Sequence, residues 1–140
     1  MMPVALWLLS VGCTGKEEPV PNATPTITII NPVDGDLWTE NDEVQMLAQV
    51  LDDDHFAMDL LVQWSIDGEV ICAWTAPDGG GNSTCPVTPS VNMSQVRAEV
   101  KDPEEATALQ EVSVSVESTN PPDVEILTPM DGSTFYAEQL

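Results

Sequence analysis

The sequence predicts an all-β domain in which two antiparallel sheets pack face to face, built from about seven short strands. Three observations predict it. From Thr26 onward, apolar and polar residues alternate with period two, the pattern of a strand with one wet and one dry face. Twelve prolines are spread along the chain, too many for long helices. Turn-forming Gly, Asn, Asp and Pro clusters separate the apolar runs at short intervals.

Each run can be placed in order. TITII, Thr26 to Ile30, opens the domain and Asn31-Pro32 ends it. EVQMLAQV puts Val44, Met46, Ala48 and Val50 on one face, and LVQWSI does the same with Val62, Trp64 and Ile66. Asp67-Gly68 then predicts a two-residue hairpin into EVICAW, because both residues tolerate positive φ. PDGGGNST reads as a loop, followed by a short strand near Val87. QVRAEVK turns Val96, Ala98 and Val100 inward and Arg97, Glu99 and Lys101 outward. Asp102-Pro103 starts the turn into EVSVSVE, where Val112, Val114 and Val116 face in and Ser113 and Ser115 face out. Trp64 is expected in the core, whereas Trp38 and Trp74 border loops and are expected to pack at the rim.

About seven strands in roughly 90 residues is the spacing of an immunoglobulin-like sandwich. The order ITIINPVDGDLW, VQMLAQVLDDD, VQWSIDGEV, VRAEVKDPEEA, VSVSV also resembles the bacterial Ig-like and PKD-like domains. The resemblance covers Pro25 to Glu117, so the domain is bounded at 25–117. It implies an extracytoplasmic spacer, adhesion or ligand-binding module rather than an enzyme.

Ahead of the domain, Pro3 to Val11 is almost wholly apolar, too short to cross a bilayer as a helix and the right length for a signal-peptide core. The run ends on Gly12-Cys13 and turns polar at once. This resembles the bacterial lipoprotein signal, which implies removal of residues 1–12, a lipid on Cys13 and attachment to the membrane of a bacterial cell envelope. Residues 13–24 are rich in Pro, acidic and small residues, and read as an extended tether.

With Cys13 assigned to lipid, Cys72 and Cys85 remain. Export would place them in an oxidising compartment, where the pair is expected to form a disulfide. Their positions suggest a bridge stapling the Gly-rich loop to its own flanks rather than joining two sheets. Asn22, Asn82 and Asn92 each begin an Asn-x-Ser/Thr sequon, which carries no meaning in a bacterial lipoprotein.

The composition holds 24 Asp and Glu against Lys16, Arg97 and Lys101, a formal net charge of −21. Such a field repels phosphate backbones, so no nucleic-acid partner is expected. LDDDHFAMD gathers Asp52, Asp53, Asp54 and Asp59 on one loop, oxygen ligands of the kind calcium takes. The spacing is not that of an EF-hand, so the default is a solvated acidic loop without metal or cofactor. His55 is the only histidine, and no nucleophile or base partner can be named beside it; no catalytic residue is expected.

The tail repeats the opening. At an offset of 97, Pro25, Ile29, Pro32, Asp34 and Gly35 meet identical residues, among them Ile126, while Ile27, Ile30 and Trp38 meet Val124, Leu127 and Phe135. A period near 97 is one whole domain. Residues 118–121 therefore read as a linker and 122–140 as the truncated start of a second Ig-like copy. The expected role is a non-catalytic, lipid-anchored envelope spacer or adhesion module with an unidentified protein or glycan partner. The alternatives are accessory domains of a surface hydrolase, or a module that binds glycan or calcium.

Overall fold

A computed structural model describes Gly15 and residues 18–120, 123–125, 128, 131, 132 and 134. The expected leader, Cys13 and most of the expected second copy lie outside the described residues. Those described form eight strands: β1 (Thr26–Asn31), β2 (Asp36–Thr39), β3 (Val44–Leu51), β4 (Leu61–Ile66), β5 (Glu69–Thr75), β6 (Asn82–Val87), β7 (Gln95–Lys101) and β8 (Thr107–Glu117). One 3-10 turn, Ala57–Asp59, lies between β3 and β4. The strands make two sheets, ordered β1-β3-β6 and β2-β8-β7-β4-β5. The all-β sandwich read from alternation is the fold.

Alternation fixes the core. Met46, Ala48 and Val50 from β3 meet Val62, Trp64 and Ile66 from β4, with Val96, Ala98 and Val100 from β7 and Val112 and Val114 from β8. Trp64 is 1% exposed, and its indole N–H donates to Ser83 Oγ at 3.0 Å, so the one polar atom of the ring is satisfied inside the core. The outer face of β7 carries Arg97, 3.1 Å from Glu99, and Lys101, whose ammonium sits 5.0 Å from the Trp74 ring centroid. The aliphatic positions inward and the cations outward follow from the period of two.

Four local expectations are corrected. The strands number eight rather than seven, because the chain resumes pairing after the NPVDG turn: β2 runs parallel to β8, with Trp38 opposite Val116. Four residues, DLWT, are too short to show alternation. Trp38 is accordingly buried at 6% exposure and belongs to the core, not the rim. PDGGGNST is a loop only to Gly81; Asn82, Ser83 and Thr84 already pair with Gln49, Ala48 and Leu47. The fourth correction concerns the disulfide.

Cys72 and Cys85 are bonded, with their Cα atoms 6.1 Å apart. They do not staple one loop to itself. Cys72 lies on β5, the edge of the five-stranded sheet, and Cys85 on β6, the edge of the three-stranded sheet. The bridge therefore joins the two sheets along one open side of the sandwich. On the opposite side the chain itself crosses from β1 in one sheet to β2 in the other, and Ile29 N–H donates to Gln110 Oε1 of β8 at 2.7 Å. Covalent links thus join the two sheets along both open sides of the sandwich.

Candidate functional site

The ends of the sandwich are unequal. At the pole where the chain enters β1, three loops are each organised by one aspartate. Asp52 Oδ1 accepts N–H bonds from Asp54 and His55 at 2.8 and 2.9 Å, and also receives His55 Nδ1 at 3.1 Å. Asp78 Oδ1 accepts the N–H groups of Gly80 and Asn82 at 2.9 and 2.8 Å. Asp102 Oδ1 accepts those of Glu104 and Ala106 at 2.8 and 2.9 Å. Each is a short acidic side chain bonding its own following backbone, the usual device for ordering a tight loop.

Asp52, His55 and Asp102 come together although β4 to β7 separate them in sequence. One donor atom from each lies within 4.8 Å of the others. Glu104 Oε2 stands 3.8 Å from His55 Nε2, beyond a hydrogen bond, on a side chain that is 58% exposed. The tether reaches the same place: Asn22 Nδ2 donates to Asp102 Oδ2 at 2.6 Å, and Ala23 N–H donates to Asp54 Oδ2 at 2.6 Å. A shallow depression of about 270 Å³ lined by Val20, Asn22, Asp54, His55 and Glu104 opens on one side of the imidazole. Another, lined by Asp52, Asp53, Asp54, His55 and Phe56, opens on the loop side.

Electrostatics follow the geometry. Desolvation pulls the His55 pKa down, but the hydrogen bond to the Asp52 carboxylate and the charges of Asp52, Glu104 and Asp102 together hold it above the ordinary imidazole value. Desolvation of Asp102 acts to raise its pKa. The Asn22 amide, the Ala106 and Glu104 N–H groups and the nearby imidazole outweigh it, and the carboxyl lies below the usual range. Asp78 is lowered by the Asn82 and Gly80 donors.

Of the acidic residues that sequence grouped as calcium ligands, only Asp52 enters this cluster. Asp53 is exposed, Asp54 is spent on the tether and Asp59 lies exposed in the 3-10 turn. Asp102 was legible as a turn residue, but its approach to Asp52 depends on the β7-β8 hairpin lying beside the loop after β3. Cys13, the expected lipid site, lies outside the described residues.

No protein-family model and no curated protein matches the sequence. Solved structures do match the fold. A Clostridium thermocellum CbhA fibronectin(III)-like module is similar with a TM-score of 0.56 at 15% identity, over 69% of this chain and all of its own. A chain of the titin M10–obscurin-like 1 Ig complex gives 0.50 at 15% identity over 73% of this chain and all of its own, and titin M4 gives 0.50 at 13% over 70% and all of its own. The chain is an immunoglobulin/fibronectin-III-like β-sandwich.

Proposed function

We propose that the chain is an exported, non-catalytic spacer and interaction module, held at a bacterial cell envelope by a lipid on Cys13. One observation carries the spacer reading: the chain enters and leaves the sandwich at opposite poles. Asn22 and Ala23 approach β1 beside Asp102 and Asp54, at the same end as the β7-β8 hairpin. From that hairpin β8 runs 11 residues, about 33 Å at strand rise, to Glu117 at the far pole. There Glu40 N–H donates to Glu117 O at 2.9 Å. A domain threaded end to end extends a string of such units instead of folding back on its neighbour.

Two features support export. The Cys72–Cys85 bridge is stable in oxidising compartments and rare in reducing ones. The apolar run before Gly12-Cys13 has the form of a cleaved signal. Ig- and fibronectin-III-like modules serve as spacers and binding surfaces, which suits this reading.

The test compares the chain with and without residues 1–12 in a Gram-negative host, trapping free thiols with a maleimide of known mass before lysis. The full chain is expected with residues 72 and 85 protected and the chain in the envelope fraction. The version lacking the leader should be labelled at both and remain in the cytoplasm. Full labelling of both forms, or recovery of the full chain in the cytoplasm, would overturn the reading.

A further inference from the structure

We propose that Asp52, His55 and Asp102 form a site for a borderline divalent cation of the zinc class, placed where the tether meets the domain. This goes beyond the spacer reading and does not rest on it. The deciding feature is Asp52. Its side chain is wholly excluded from solvent; the Asp54 and His55 backbone N–H groups donate to Oδ1, and His55 Nδ1 lies 3.1 Å from it. Its Oδ2 is, among the described residues, the one buried side-chain polar atom with no hydrogen-bond partner. A carboxylate oxygen excluded from water without a donor is costly, and native proteins seldom leave one so.

The neighbours supply the rest of a coordination set. Asp102 contributes a carboxylate whose Oδ2 holds only the Asn22 amide, leaving lone-pair capacity on that oxygen. His55 contributes an imidazole nitrogen, and the three donor atoms already lie within 4.8 Å of one another. Glu104, exposed and 3.8 Å from the ring, can swing in as a fourth ligand. Two carboxylates and an imidazole suit zinc; calcium prefers an all-oxygen shell of six to eight ligands. Because Asn22 is bonded to one ligand and Ala23 to the adjoining Asp54, a bound cation would fix the tether against the domain.

The test uses the full chain carrying Cys13→Ser, so that its thiol cannot ligate, with the disulfide intact and metal removed by chelator. Zinc chloride is titrated calorimetrically and against a fluorescent chelator. The ring signals of the sole histidine are followed by NMR. The expected result is saturation near one zinc per chain with a shift of the His55 ring signals. Asp52→Asn and His55→Gln should each weaken binding at least about tenfold, the loss that even outer partners of a metal site cause. Asp59→Asn, outside the cluster, should bind like the parent. His55→Gln replaces a partly exposed side chain, so it keeps the test valid if Asp52→Asn misfolds. Absence of saturable uptake, unmoved His55 signals, or full affinity in His55→Gln would each overturn the proposal. So would displacement of zinc by equimolar calcium.

Discussion

Gly81 shows how a single residue fixes a loop. Its φ is +82°, and a Cβ built there would run into the Val50 carbonyl oxygen, while its own carbonyl accepts the Val50 N–H at 2.9 Å. An L side chain meets both a disfavoured backbone and a wall of backbone atoms. Gly81→Ala is therefore expected to destabilise the domain by about 2 kcal/mol or more, read from urea unfolding. Gly68, also at positive φ but with open space around its Cβ position, should tolerate Ala better. Asp67 acts at the same scale by charge. The Ser94 hydroxyl at 2.6 Å leads the donors that hold its pKa down, joined by the Ser94 and Gln95 N–H groups and opposed by desolvation. A carboxyl depressed on folding contributes stability above its unfolded value of about 4, and loses it as pH falls through the lower folded value. Asp67→Asn should thus lower stability most above about pH 6 and least in strong acid, which flattens the acid limb of a stability–pH curve. An unchanged acid limb would remove Asp67 from the account.

Among the elements, β5 and β6 depend most on a bond outside the sheets. The disulfide spans 13 residues of sequence, so its loss should cost about 3 kcal/mol in the chain-entropy model. In a domain of this size that lowers Tm by roughly 15 °C. Cys72→Ser with Cys85→Ser should show this fall while keeping the far-UV spectrum of a β-sandwich; equal melting of the two forms would contradict it. The elements also show what sequence could reveal. β3, β4, β7 and β8 were legible because each has three or more alternating core positions, enough for period two to stand out. β2 was not, since four residues hold too few alternations and its pairing with β8 is parallel and distant in sequence. The start of β6 was hidden behind turn-forming residues, because Asn82 and Ser83 are poor strand formers held in place by pairing with β3. The two cysteines were legible as a pair, but their role between sheets required knowing that β5 and β6 are edges. The Asp52–His55–Asp102 cluster was half legible: loop composition pointed to Asp52, and tertiary approach alone supplied Asp102.

For the whole molecule, the unequal poles carry the functional reading. The entry pole gathers three Asp-ordered loops, the tether and the proposed cation site, and the exit pole hands the chain on from Glu117. A formal net charge of −21 opposes the close approach of two copies. Cys13 is proposed to hang this arrangement from a membrane. The most direct measurement is radiolabelled palmitate incorporation into the full chain and into Cys13→Ala, expressed in a bacterium that matures lipoproteins. Label is expected in the parent and none in Cys13→Ala. Label that survives the substitution, or a parent that takes up none, would contradict it.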